Sequence, residues 1–415
     1  MLDGKICVLI VDTAIDFGGS IVSTANLIRG LDRNRFEPIF VSATSEELLR
    51  NKLAEASEST RVVIAKKFMH YGRIAPIADA FKRIKPRVLG KGLIYLLYLL
   101  RLLLNIPYAL RMARLISKYR VDLVQLNNAF GNDELEIVSL LTRRSRVVFF
   151  RGYIPLSAIE RKFFLSGVKA FVSVSEFVKN EAIADGVPAD KIQVATPPAI
   201  PEVLSETARA HIRARYSLRP EDLVVGIFGR VVNWKGQKEF VIAAAPVLRA
   251  IPNCRAFIVG DTSDGDVAYL HEVKRLCKEL QIEDRVTFTG YIEKVYELYG
   301  IMDVVVHASI HPEPSGRVIF ESMSCGTPVI ASCYGGPKEF IDDGIDGYIC
   351  DPKVPEQISN RLMTLLCDQS LRREMGSKAQ EKILRVHNKR AYASSIERVY
   401  AQSLELAPEQ VAGEA

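Results

Sequence analysis

No CxxC pair occurs among the seven cysteines of this 415-residue chain, Cys7, Cys254, Cys277, Cys325, Cys333, Cys350 and Cys367. An odd count without paired spacing gives no zinc or disulfide framework and is expected of reduced thiols in a cytosolic protein. No leader is expected either: MLDGKICVLIVD runs straight into an apolar, strand-like stretch behind Asp3, unlike a basic segment with a cleavage site, so export is not expected. The leucine-rich run LIYLLYLLRLLL, residues 93–104, falls short of the roughly 20 apolar residues that span a bilayer. Short repeats and low-complexity tracts are absent, and the glycines after the first apolar run, Gly18 and Gly19, do not form GxGxxG.

The most informative scarcity is local. Residues 61–120 hold fourteen Lys and Arg but one acid, Asp79, a net of +13 in a chain whose total is +6. Lys66, Lys67 and the run KRIKPRVLGK are either a solvated face or an address for something anionic, nucleic acid and membrane being the usual candidates. Beside them, residues 93–100 are apolar on every face, more than a helix with one buried stripe requires. One reading buries this helix in a core. The other rests it on an anionic membrane surface, the leucines and tyrosines inserted shallowly, so that the protein works at the inner face of the cell membrane. Nucleic acid is not the expected partner.

What is present is ordinary for a soluble chain: 48% apolar and 25% charged residues, with length for two domains. ICVLIVD, EPIFVSAT, VDLVQLN, RVVFFRG and KAFVSVS read as buried parallel strands separated by helix-like stretches. The pattern restarts with VVGIFGR, RAFIVGD, RVTFTG, DVVVHAS and TPVIAS. Between the sets, TPPAIPEV excludes helix and central strand through its prolines. The expected class is α/β, two Rossmann-like, doubly wound domains facing a cleft: residues 1–198, residues 199–387, and a C-terminal helix and frayed tail over 388–415.

One stretch carries chemistry. After DVVVHAS comes the turn IHPEP and then SGRVIFESMSCG, a helix with Ser315 as the expected N-cap and Gly326 as its C-terminal stop. The start of such a helix offers unpaired N–H groups and about half a positive charge, suited to phosphate. Glu313 lies just before it and Glu321 inside it, so the two serve different parts of an extended ligand, unlike the paired carboxylates of a glycosidase. His307 and His311 stand four apart, but across a proline turn after a strand, so no metal site is expected there.

With EPSGRVIFE, GTPVIAS, Gly335–Gly336, Glu339, DGIDGYICDP and GIFGRVVNWKGQKEFV, the chain resembles the family-4 retaining glycosyltransferases of GT-B architecture. The resemblance implies that Arg230 and Lys235 hold a nucleoside diphosphate, with Glu313 on the donor sugar's hydroxyls and Glu321 on the ribose. Ser315, Gly316, Arg317 and Val318 would meet the phosphates, Tyr291 and Ile292 the base, and Gly18 and Gly19 the donor from the first domain. It further implies that the last helix, from about Asn388, crosses back to the first domain. Where family members carry histidines, this chain has Asn127, which could donate to a sugar hydroxyl, and Arg151, which could bind an anionic acceptor group or the leaving phosphate. The expected activity moves a hexosyl unit from a nucleoside diphosphate sugar, UDP- ahead of GDP-, to a saccharide or lipid-linked saccharide in cell-surface polysaccharide or glycolipid synthesis. Neither cofactor nor metal is expected. The rival readings are a sugar-nucleotide epimerase or hydrolase of the same architecture, and a catalytically silent nucleotide-sugar binder.

Overall fold

The apolar run ICVLIVD becomes strand β1 (Ile6–Asp12), buried at all seven positions, as a strand covered on both faces requires. In the computed structural model the described residues are 4–12, 19–42, 60–68, 71–128, 133–153, 155–156, 160–199, 204–262 and 266–406. They form two units: one of residues 1–174, 178–197 and 389–415, the other of 175–177 and 198–388.

In the first unit, β1 is joined by β2 (Phe36–Ser42), β3 (Arg61–Ile64), β4 (Leu123–Leu126), β5 (Ser145–Phe150), β6 (Ala170–Ser173) and β7 (Ile192–Val194). All pairings are parallel, in the order β3-β2-β1-β4-β5-β6-β7. The helices are α1 (Gly19–Gly30), α2 (Tyr71–Lys82), α3 (Arg87–Leu104), α4 (Ile106–Lys118), α5 (Asp133–Leu141) and α6 (Glu176–Ala184). The edge strands β3 and β7, which no long apolar run announces, are short and partly exposed.

The second unit repeats the plan with β8 (Leu223–Phe228), β9 (Cys254–Val259), β10 (Val286–Gly290), β11 (Val304–His307), β12 (Val329–Ser332) and β13 (Gly347–Cys350), in the order β10-β9-β8-β11-β12-β13. Its helices are α7 (Glu206–Arg215), α8 (Gln237–Ala250), α9 (Val267–Glu279), α10 (Val295–Tyr299), α11 (Arg317–Ser324), α12 (Pro355–Cys367) and α13 (Gln369–Val386). The last helix, α14 (Lys389–Ser403), belongs to the first unit. There Tyr392, Ile396, Val399 and Tyr400 join Ile6, Val8 and Ile10 in one core. Gly30 permits this, since a Cβ there would stand 2.8 Å from that of Ala393.

In each sheet the strand order reverses beside the first strand of its set, at β1/β4 and at β8/β11, where ligands of doubly wound folds bind beyond the carboxyl ends of the strands. Asp12 and Asn127 stand at the first of these switch points, Arg230 and His307 at the second.

The core reading of residues 93–104 is overturned. Only Gly90 and Arg101 of α3 are buried, while Tyr95, Leu96, Leu99, Leu100 and Leu103 face outward. Lys67 is not a solvated charge either; it is buried against Glu134 at 2.7 Å.

Candidate active site

Strand β11 ends at His307, and the chain then turns through Ser309, Pro312 and Pro314 into α11. Glu313 is held at the mouth of this turn by its backbone, which bridges to Gly335 and accepts the Gly336 N–H at 2.9 Å. Gly335, at φ +84°, could carry no side chain there, because a Cβ would lie 2.4 Å from the Glu313 carbonyl oxygen.

Three donors converge on the Glu313 carboxylate. Lys235 Nζ donates to Oε1 at 2.6 Å, Ser309 Oγ donates to Oε2 at 2.7 Å, and His307 Nε2 hydrogen-bonds the same Oε2 at 2.7 Å. Lys235 arrives from the loop after β8, and Gly236 behind it, at φ +76°, packs so tightly that a Cβ would meet the Ala308 carbonyl oxygen at 1.8 Å. The Lys-Gly pair is therefore what lets this loop close on the end of β11. Burial alone would raise the pKa of Glu313, but the attraction of His307, then of Lys235, and the hydrogen bonds from both outweigh it and hold the carboxyl well below the usual range. Glu313 is an ionised acceptor. Its three bonds leave Oε1 a lone-pair direction unfilled by these contacts.

Glu321 sits one turn inside α11, and its carboxylate is held within the unit. Tyr299 donates to Oε2 at 2.9 Å and Arg317 to Oε1. Tyr299 stacks on Phe228 at 4.0 Å. Glu321 raises the pKa of the Arg317 guanidinium, while burial and then Glu321 push the Tyr299 phenol far up. Ser315 does not cap α11. The N-cap is Gly316, in the left-handed region at φ +73°, and no side chain bonds there, so the first-turn N–H groups at Arg317 and Val318 meet no side-chain oxygen cap. The Ser315 expectation fails because the two-proline turn delivers the chain with reversed φ at the residue before the helix, where glycine is favoured. Gly326 does take the expected left-handed turn at φ +75°.

Arg230 lies on the loop that carries Lys235, its side chain exposed and its carbonyl accepting from Gln237 Nε2 at 2.9 Å. Tyr291 is exposed beyond β10, and Ile292 packs against the core that contains Phe257 and Tyr299. Gly19 opens α1; Gly18 lies outside the described residues. His311 is exposed in the turn and takes no part in the cluster. The residues that sequence reasoning missed are His307 and Ser309. Their signal is positional: polar residues at the carboxyl end of a buried strand, six and four places ahead of a glutamate in a turn.

The first unit holds a second polar cluster. Asn127, fully buried, donates through Nδ2 to Asp12 Oδ2 at 2.6 Å and to Thr24 Oγ1 at 2.8 Å. Its Oδ1 accepts from Arg151 Nε at 3.1 Å and Nη2 at 2.7 Å, and from Gln125 Nε2 at 3.2 Å. Asn128 Nδ2 donates to Asp12 Oδ1 at 2.7 Å, and Tyr400 donates to Gln125 Oε1. Both amide hydrogens of Asn127 are thus engaged inside the unit, and it holds Arg151 in place instead of offering a donor to a sugar. Arg151 is half-buried, and its Nη1 is a buried atom without a hydrogen-bond partner among the described residues.

Residues 208–382 match the family described as glycosyl transferases group 1, and residues 17–200 match glycosyltransferase family 4. The N-acetyl-alpha-D-glucosaminyl L-malate synthase of Bacillus anthracis is 34% identical over 33% of this chain and 35% of its own length. A D-inositol 3-phosphate glycosyltransferase of Nocardia farcinica is 32% identical over 47% and 44%, and an uncharacterized glycosyltransferase of Methanocaldococcus jannaschii 28% over 57% and 60%. The chain thus spans about a third to three-fifths of the lengths of these curated relatives. Among solved structures, HepE of Anabaena in complex with UDP and glucose superposes with a TM-score of 0.76 at 21% identity, covering 96% of this chain and 100% of that one. A glycosyltransferase of Rickettsia africae gives 0.80 at 20% identity, covering 97% and 100%.

Proposed function

Because the chain belongs to the group 1, family-4 glycosyltransferases and has their GT-B fold, we propose that it transfers a hexosyl unit from a UDP-sugar to a saccharide or lipid-linked saccharide acceptor, with retention of the anomeric configuration. The observation that carries this reading is the convergence of Lys235, His307 and Ser309 on an ionised Glu313 directly before the start of α11. The diphosphate lies against the first turn of α11 with Lys235 and the exposed Arg230 beside it, and the open direction on Glu313 Oε1 takes a sugar hydroxyl. The bond from the anomeric carbon to the diphosphate oxygen breaks, the acceptor oxygen bonds to that carbon on the same face, and its proton passes to the departing phosphate. Fixed cationic and N–H donors meet the charge that develops, so no strong protein base and no metal is required. UDP is preferred here to GDP because HepE, a protein of the same fold, was solved with UDP and glucose.

Thermal melting across UDP-, GDP- and ADP-sugars tests the donor assignment: a ligand at about a hundred times its Kd adds about 2.7 kcal/mol of stability. One UDP-sugar should raise the Tm clearly above the rest, and its turnover with acceptor should survive EDTA and give the donor's anomer by NMR. Stabilisation by no sugar nucleotide removes the assignment. Free sugar or an epimer made without acceptor returns the activity to the hydrolase or epimerase class, and binding without turnover to a silent binder.

A further inference from the structure

Helix α3 is turned inside out. Its one fully buried side chain is Arg101, while Leu96, Leu99, Leu100 and Leu103 are each about half exposed or more. The stripe continues at three- and four-residue spacing across the bend at Asn105 to Ile106 and Leu110 of α4. α4 buries Tyr108, Met112 and Ile116 on its inner side, but beneath the end of α3 the fold side is polar. Glu134 accepts from Lys67 Nζ at 2.7 Å and from Asn105 Nδ2 at 2.8 Å, and Arg101 acts on the same carboxylate. A helix on a water-facing surface has the opposite arrangement, apolar inward and charged outward.

The flanks say what covers the leucines. Lys85, Arg87 and Lys91 are exposed at one end, and Arg111, Arg114 and Lys118 at the other. The only acid of the whole segment, Asp79, is already bonded to Lys82 at 2.8 Å. A second copy of the chain would bring this unbalanced positive charge against itself, and a nucleic acid would leave the leucines without an apolar partner. An anionic bilayer surface satisfies both, with acyl chains for the leucines and headgroups for the cations. No single helix among the described residues is long and apolar enough to cross a membrane; α3 and α4, bent 49° apart, pass that test only together. The docking of the inner face on Lys67 and Glu134 keeps the pair in the plane of the interface.

We propose that α3 and α4 seat the first unit on an anionic lipid surface, the stripe from Leu96 to Leu110 entering the acyl boundary and the flanking lysines and arginines lying on the headgroups. This goes beyond the assignment of the donor and stands independently of it, so it is tested without sugar nucleotide. The full chain is sedimented with vesicles of phosphatidylcholine alone and of phosphatidylcholine mixed with phosphatidylglycerol. Binding to the mixed vesicles should be at least about tenfold stronger and fall as salt rises. Leu99→Glu with Leu103→Glu should lower it about tenfold or more at unchanged Tm, since both side chains are exposed. Lys85→Gln, Arg87→Gln and Lys91→Gln together should weaken binding to the mixed vesicles strongly, at about fivefold per charge, while Arg111, Arg114 and Lys118 retain the remainder of the preference for anionic lipid. Equal binding to both vesicles, or none, overturns the proposal. So does a lipid-free dimer that the leucine variant dissociates, which would make the stripe a self-interface.

Discussion

The two units place a polar cluster at the same point of the same sheet plan and build it in opposite ways. In the second unit three donors meet a single ionised carboxylate, Glu313, which keeps a direction open. In the first unit a neutral amide, Asn127, is bonded on all sides between Asp12, Thr24, Gln125 and Arg151. A charged cluster with a lone pair to spare is the arrangement on which the proposed donor site rests. A saturated amide network fixes a scaffold, and Arg151 is held in it by Asn127 Oδ1.

The largest effect that tests this contrast is on turnover. Lys235→Ala should slow sugar transfer by about a hundredfold or more, the scale of losing a preorganised charge partner in a reaction that expels a dianion, with a modest change in Tm because Ser309 and His307 still bond Glu313. On the proposed reading, in which Lys235, Arg230 and the helix start meet the nucleotide's charge, Glu313→Gln should damage turnover while sparing the affinity for free UDP. Steady-state rates and UDP titration of the two variants separate these outcomes, and wild-type rates in Lys235→Ala would remove the lysine from the phosphate site.

The same contrast explains what was legible in the sequence. The Glu313 cluster is built mostly from a single turn, so that Glu313, Gly316 and Glu321 leave a spacing, while Lys235 was implied by the family resemblance and not by spacing. Two of its members, His307 and Ser309, escaped because a histidine at a strand end has no spacing of its own. The first-unit network draws on positions 12, 24, 125, 127, 151 and 400, brought together by parallel register and by the return of α14, and no local pattern encodes that. Strands with long apolar runs were readable, whereas β3 and the three-residue β7 were not, because their half-exposed residues carry neither a run nor a clean alternation. In α3 the composition was plain but its direction was not, since a helix apolar all round has no period from which the buried side can be read.

A middle-sized effect separates the units by pH. His387, after α13 of the second unit, packs on Phe320 and Phe340 at ring distances of 5.2 and 5.8 Å. Burial first, and then Lys382, lower its pKa to about 4. The folded state therefore favours neutral imidazole, so its contribution is complete above the unfolded value of about 6.5 and is lost as pH falls toward 4, about 3 kcal/mol over that window. Glu313 titrates elsewhere: its depressed pKa gives stability that is present above about 4.3 and lost only below it. Urea melts from pH 7 to 4 should show His387→Leu with a flatter dependence than the parent chain. An unchanged slope would mean that His387 is not the acid-sensitive group.

The smallest effect asks whether the first-unit network is scaffold alone. Thr24 accepts one Asn127 amide hydrogen at 2.8 Å and donates to the Ser20 carbonyl at 2.9 Å, one turn back in α1. Thr24→Val keeps the shape and removes the acceptor, leaving a single buried N–H of Asn127 unmet while its bond to Asp12 remains. The expected cost is about 1–2 kcal/mol, the range for an unsatisfied buried donor. The grip of Asn127 Oδ1 on Arg151 lies on the other side of the amide and does not pass through Thr24. Denaturation should therefore register the change, while kcat/KM at a permissive temperature stays at the parent value. A tenfold fall in kcat/KM would mean that the amide's tilt aims Arg151 at a substrate, and the neutral cluster would then be as functional as the charged one.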